Sequence, residues 1–136
     1  MKPAIFVLAF GALAIVTPLS AHHSFAATYF EDQSVKIDGK VTAFLYRNPH
    51  SFVEMETVDA QGIATKWVAE WFSSGRLARI NIDADTFKPG DRVIITGAPG
   101  RDANDHRVHL KTIDRPADGL HFDRMARNGG TNRGRR

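Results

Sequence analysis

The chain has 136 residues, a formal net charge of +3 and no cysteine. Its length suits a single domain with one modest hydrophobic core. The lack of thiolates excludes disulfide bonds, iron–sulfur clusters, cysteine-type zinc sites and thiol redox chemistry, so hydrophobic packing must stabilise the fold.

Residues 1–21 have the pattern of a secretory signal peptide. Lys2 precedes a 13-residue apolar run, Ala4–Val16, and the segment ends in the small residues Ser20 and Ala21. The run is too short to cross a bilayer, which takes ~20 residues. We expect cleavage after Ala21 and a periplasmic or secreted protein with no transmembrane anchor, whose net charge falls to +2 with the loss of Lys2.

Five strands and one short helix are expected after an amino-terminal arm at residues 22–33. In the strands, apolar and polar residues alternate at the short, turn-punctuated spacing of an all-β domain. The strands are Ser34–Tyr46, Ser51–Val58, Ala64–Phe72, Arg92–Gly97 and Arg107–Ile113. Leu77 and Ile80, three residues apart, predict one face of a helix between the third and fourth strands. This helix is expected over Ser73–Ile80, with its N-cap at Ser73 or Ser74.

Turn residues separate the strands. Pro49 lacks an N–H donor and ends the first strand, Gly62 supplies a positive φ after the second, and Gly90 lies in a tight turn at Lys88–Asp91. Gly39, inside the first strand, is typical of a bulge or sharp bend. Three strands, a helix and two strands are the order of an OB-like fold: a small five-stranded all-β barrel with one short helix between the third and fourth strands.

The barrel domain is assigned to residues 34–123, and a basic disordered tail to residues 124–136. The tail has five arginines and no acidic residue. In the last strand Val108, Leu110 and Thr112 alternate on one face, and little periodicity remains beyond it. Leu120 and Phe122 have the spacing to dock onto the barrel, and disorder is expected after residue 125. Because the chain is expected to be exported, nucleic acid is not an expected partner.

His22 and His23 would open the mature chain, and they suggest a metal site. The terminal amine and the His22 imidazole form a bidentate nitrogen chelate, and one further imidazole completes a three-nitrogen site. Such ligands favour copper(II) or another divalent metal. His50 is the best third ligand because Pro49 fixes the turn that carries it. Cleavage after Ser20 would instead place His23 third, where the amine, two amides and the imidazole bind copper in a plane.

The other histidines fit a metal site less well. His106 and His109 are three residues apart, which places them on opposite faces of a strand, and His121 lies in the weakly ordered segment. The alternative is that the histidines are structural. His22 and His23 would then begin an extended arm, and His50 would donate to a neighbouring carbonyl and fix its turn.

Three glutamates lie on predicted strands. Glu54 and Glu56 share one face, which suits paired acid–base catalysis, but alternating glutamates are also typical of a solvated outward face. Glu70 is either a buried acceptor or, as we favour, one partner of a structural ion pair with Arg76 or Arg79 of the helix. No catalytic triad, phosphate loop or dinucleotide motif is present, so an enzyme is not expected.

Six aromatic side chains exceed what one inward face of a barrel needs. They are Phe44, Tyr46, Phe52, Trp67, Trp71 and Phe72. Aromatic residues on the binding face of an OB barrel stack on bases or sugars, and sugars or small ring-shaped ligands are more available to an exported protein. Core filling is the simpler interpretation.

Several short segments resemble the domain of unknown function 6152 family of small exported bacterial proteins. They are Ala21–Ala27 (AHHSFAA), Gly39–Val41, Asn48–His50 (NPH), Trp67 with Glu70, Leu77 with Arg79, Lys88–Asp91 and Asp118–Gly119. The resemblance implies a signal peptide and an OB-like barrel, and no established activity. Asn81-Ile82 stands where the family has Gly-Trp, so the turn after the helix is expected to differ. The arginine-rich tail also departs from the family's usual short ending.

Two functions follow from these patterns. The first is an exported, non-enzymatic binding module that holds copper(II) or another divalent metal through His22, His23 and His50. The second is a metal-free structural or protein-interaction module of the cell envelope, whose arm packs Phe25 and Tyr29 over an open barrel edge.

Overall fold

A computed structural model describes residues 25–126 of the chain. Its elements are α1 (Phe25–Thr28), β1 (Val35–Leu45), β2 (Phe52–Val58), β3 (Ala64–Glu70), α2 (Ser74–Ala78), β4 (Arg92–Pro99), β5 (Arg107–Arg115) and β6 (Leu120–Asp123). His22, His23, the predicted signal peptide and most of the predicted tail lie outside the described residues. Within residues 25–126, no helix is long and apolar enough to cross a membrane.

The strands form a closed barrel of the predicted class. Their order in the sheet is β3-β2-β1-β4-β5-β6, and β3 also pairs with β5, which closes the first five strands on themselves. The β3–β5 contact is parallel and has three paired positions, Val68–Arg107, Ala69–Val108 and Glu70–His109. We call this contact the seam. All other strand pairs are antiparallel, and α2 lies between β3 and β4 as expected.

Inward-facing side chains of every barrel strand fill the core. Alternation along the strands turns one set of apolar residues inward, and α2 and the loop after it add Leu77, Ile82 and Phe87. The inward barrel positions are Ile37, Val41, Val53, Met55, Ala69, Val93, Ile95, Val108, Leu110 and Ile113, and Trp71 and Phe122 belong to the same buried cluster.

Gly39 is required by a close approach between strands. A Cβ atom there would lie 2.5 Å from the carbonyl oxygen of Glu56 on β2. The bulge of β1 lies slightly further along, where the register with β2 shifts between Val41 and Ala43. Gly39 therefore lets β1 and β2 pack closely just before this bulge.

β5 contains a bulge that the alternation does not predict. Thr112 pairs with Thr96 but Leu110 pairs with Gly97, which leaves Lys111 as an extra residue. The expectation that Thr112 shares the inward face of Leu110 is therefore wrong. Ile113 takes the next buried position instead.

The end of α2 shows how Asn81 replaces a glycine. Ser73 caps the start of the helix by accepting a hydrogen bond from the Arg76 amide. At the other end, the Ile82 amide donates to the Leu77 carbonyl at 3.0 Å, and Asn81 has a φ of 60°. This is the geometry of a Schellman C-cap, whose left-handed position takes glycine or asparagine. Ile82 and Leu77 are both buried.

The chain continues past the predicted last strand into a sixth. Leu120 and Phe122 dock onto the barrel as their spacing allows, and both are buried. The expectation that His121 lies in a weakly ordered segment is wrong, because it belongs to β6. Its Nδ1 lies 2.6 Å from Oδ1 of Asp114 on the neighbouring strand.

Candidate functional site

The described part of the arm, residues 25–33, lies against the outer surface of the barrel. Tyr29 forms a β-bridge with Gly100, and the Phe30 amide donates to the carbonyl of Pro99 at 2.9 Å. The Lys111 ammonium group donates to two carbonyl oxygens of the arm, at 2.9 and 2.7 Å. The bulge in β5 thus supplies a cation that fixes the path of the arm.

Glu70 connects the arm to the turn between β1 and β2. It is the last residue of β3, lies on the seam and is nearly buried under the arm. One carboxylate oxygen accepts a hydrogen bond from the Tyr29 hydroxyl. The other lies 2.6 Å from His50 Nδ1. Burial, together with the bond to Glu70, raises the pKa of the Tyr29 hydroxyl, which therefore remains a donor.

The predicted pairing of Glu70 with an arginine of the helix is wrong. The Arg76 guanidinium instead lies over the Phe72 ring, 3.5 Å from its centroid. Glu70 points to the side of β3 that the arm covers, so its partners come from parts of the chain distant in sequence. Tyr29, 41 positions earlier, is one of them.

His50 is held in a defined orientation at the end of its turn. The Asn48–Pro49 peptide bond is cis, and the amide of Ser51 donates to the Phe72 carbonyl at 2.9 Å. Nδ1 faces the Glu70 carboxylate and donates to it, so in the neutral form of the ring the lone pair is on Nε2. The side chain is 33% exposed. His50 and Glu70, together with arm residues, line a cavity of ≈ 300 Å³.

Phe25, the first described residue of the arm, lies between two histidines. Its ring stacks on His109, with centroids 3.8 Å apart and planes 10° from parallel, and its centroid lies 5.2 Å from that of His50. This contact brings the beginning of the described arm directly to the turn that carries His50.

His109 belongs to a second buried network, which the sequence did not predict. Nδ1 of this ring lies 2.7 Å from Glu31 Oε1, and Arg124 Nη1 lies 3.0 Å from each of the two ring nitrogens. Because Arg124 Nη1 is equally far from Nδ1 and Nε2, it lies over the face of the ring, while Nδ1 is placed to donate to Glu31. Burial chiefly lowers the pKa of His109, and the Arg124 charge adds to this effect. Burial would raise the pKa of Glu31, but hydrogen bonds from His109 and Arg124 outweigh it and hold that pKa below its usual value.

The remaining predicted residues lie apart from this site. His106 packs edge-on against Trp67 at 4.9 Å and does not converge with His109, as expected. Glu56 lies opposite Lys40 on β1 and Lys66 on β3, on the outward face expected for alternating glutamates.

One of the three residues predicted to bind a metal lies within the described part of the chain. It is His50, on the turn between β1 and β2, whereas His22 and His23 lie outside residues 25–126. Within that range, no group of three or more histidine, aspartate or glutamate side chains is arranged to hold a metal ion. A site involving His50 therefore needs ligands from outside this range.

Taken together, these features define a small OB-like barrel whose seam is covered by an amino-terminal arm. The chain belongs to the family of unknown function DUF6152, which matches residues 11–109. No curated protein is significantly similar to it in sequence. The matched range includes the arm, the His50 turn and the seam.

Proposed function

We propose that the protein is an exported, non-enzymatic module that binds copper(II) or another divalent metal. The ligands are the mature terminal amine, His22 and His50, with His23 beside them. The observation that carries this proposal is the 2.6 Å contact between His50 Nδ1 and Glu70. Histidines that bind metals commonly donate their second ring nitrogen to a carboxylate, which fixes the tautomer and directs the other nitrogen at the metal.

The position of Phe25 supports a shared site between the arm and the turn. Its ring lies 5.2 Å from that of His50. His22 precedes Phe25 by three residues, which span at most about 11 Å. The chain length is therefore sufficient to bring the terminal amine and the His22 imidazole to Nε2 of His50.

The chemistry of these ligands favours copper(II). An amine and imidazoles are nitrogen donors, and copper(II) binds such donors more strongly than the other common divalent metals. The absence of cysteine removes the soft thiolate ligands that would favour copper(I). The export that exposes His22 is supported by the pattern of residues 1–21.

Electron paramagnetic resonance during a copper(II) titration of mass-verified mature protein tests the proposal. We expect one equivalent of copper with a nitrogen-rich signal, lost in His22→Ala and altered in His50→Ala. Glu70→Gln should weaken binding about 10- to 100-fold through its effect on His50. His121→Ala is the matched control, because this exposed histidine also pairs with a carboxylate. Full affinity after His22→Ala or after blocking the amine would contradict the proposal.

The second candidate is a metal-free structural or protein-interaction module of the cell envelope. The packing of Phe25 on His109 and the complete burial of Tyr29 favour it. On this hypothesis His50 and His109 stabilise the docked arm, and the mature protein gives no specific copper signal. His22→Ala would then leave both stability and partner binding unchanged.

A further inference from the structure

A groove lies beside α2 and extends to Phe25 and His50 of the site described above. It consists of two adjoining cavities of ≈ 380 and ≈ 520 Å³ that share Phe72, Ser73, Arg76 and Arg124 in their linings. Both volumes are within the range of sites for small organic ligands. We call the two cavities together the arginine groove.

The lining of the arginine groove is cationic. Arg76, Arg79 and Arg124 contribute to it, and no aspartate or glutamate lines either cavity. Arg124 is partly neutralised by Glu31, 3.1 Å away. Arg76 is stacked on the Phe72 ring, which fixes the plane of its guanidinium and leaves the N–H edge available. A guanidinium held in this way is suited to a bidentate contact with a carboxylate.

The groove also has aromatic walls and a buried donor. Phe72 and Phe122 line the larger cavity, and Trp71 lines the smaller. Trp71 is 1% exposed, and among residues 25–126 no acceptor lies within hydrogen-bonding distance of its indole Nε1. Buried donors nearly always have a partner. Nε1 is itself covered, so a molecule in the groove packs against the Trp71 ring and does not accept from this N–H.

We propose that the arginine groove binds a small organic carboxylate with an aromatic or branched apolar body. The carboxylate contacts Arg76 and Arg79, and the apolar body packs against the aromatic side chains near Trp71. This binding requires no metal, although His50, a ligand of the proposed copper site, also lines the smaller cavity.

The indole N–H signal of Trp71 in proton–nitrogen NMR spectra is a direct probe of the groove. The chain has only two tryptophans, so a Trp67→Phe variant assigns the signal. The mature protein is freed of metal on a chelating resin and titrated with benzoate, which has both the charge and the ring. Benzamide lacks the charge, acetate lacks the ring, and inorganic phosphate is an anion of another geometry.

We expect benzoate to shift the Trp71 signal saturably, and the three other probes to bind at least about tenfold more weakly. Arg76→Gln and Arg79→Gln should each weaken benzoate about tenfold or more. Both arginines are exposed, so these changes should preserve the fold, which circular dichroism checks. Lys66→Gln removes one exposed cation from β3 and should leave benzoate affinity unchanged.

Three outcomes would overturn the proposal: a non-saturating benzoate shift, equal binding of benzamide or phosphate, or equal effects of Arg76→Gln and Lys66→Gln. None of these bears on copper binding through His22, because the titration uses metal-free protein. Conversely, a failed copper titration would leave the carboxylate result standing.

Discussion

Replacing Tyr29 by phenylalanine removes one oxygen atom from the contact between the arm and the barrel. Tyr29 is fully buried, and its hydroxyl donates to the carboxylate of Glu70. The substitution keeps the ring and its packing, so the change in stability reports on this hydrogen bond. Glu70 keeps its contact with His50 at 2.6 Å.

The expected loss of stability in Tyr29→Phe follows from the charge of the Glu70 carboxylate, which accepts the hydrogen bond. Hydrogen bonds to charged groups contribute about 1.5–3 kcal/mol, against 0.5–1.5 kcal/mol for neutral pairs. We therefore expect Tyr29→Phe to lower the free energy of unfolding by about 2 kcal/mol. Tyr46→Phe provides a matched comparison, because its hydroxyl donates to the neutral carbonyl of Ser74 at 2.8 Å. That variant should lose about 1 kcal/mol.

Urea denaturation of metal-free mature protein measures both variants. The midpoint should fall further for Tyr29→Phe than for Tyr46→Phe, and the slope of the transition should stay the same, since the surface exposed on unfolding hardly changes. An equal or smaller loss for Tyr29→Phe would refute the reasoning. The hydrogen bond from Tyr29 to the Glu70 carboxylate would then stabilise the fold no more than the hydrogen bond from Tyr46 to the neutral Ser74 carbonyl.

Three further predictions concern the arm and the barrel. Phe25→Ala should lower stability by about 1–2 kcal/mol through loss of stacking, and an unchanged melting temperature would contradict the role of this ring. Gly39→Ala should cost about 2–3 kcal/mol, because the new Cβ meets the Glu56 carbonyl at 2.5 Å; equal stability in urea would disprove it. The folded pKa values of His109 and Glu31 are both lowered from 6.5 and 4.5, so the unfolded chain binds more protons and stability should decline as pH falls below 6.5. His109→Gln should flatten the first part of that decline, and an unaltered pH profile would count against the network.

The barrel was predictable because its signals are local. Alternation marked the five strands, and the spacing of Leu77 marked the helix between the third and fourth. Positive φ values at Gly62 and Gly90 occur where turns were expected. Each of these features depends on a few neighbouring residues, so a single sequence contains it.

The partners of Glu70 were not predictable for the opposite reason. Its contacts depend on where a distant arm docks, and no local pattern encodes that path. His109 was correctly separated from His106, but its partners Glu31 and Arg124 lie 78 and 15 positions away. No glycine or proline marks the bulge at Lys111 within β5 itself, and the glycine beside it, Gly97, is on the neighbouring strand; alternation was therefore extended one residue too far.

The arm holds together the two strands that meet at the seam of the barrel. The seam has three paired positions, whereas β2 and β3 share seven, which makes it the shortest of the contacts that close the barrel. The arm bonds to both sides of it, through Tyr29 to Glu70 on β3 and through Glu31 to His109 on β5. We therefore expect the arm to detach and the barrel to open at the seam in the same local unfolding event. Backbone amides on the two seam strands and in the arm are expected to exchange hydrogen together, and any ligand that ties down the arm will slow them all.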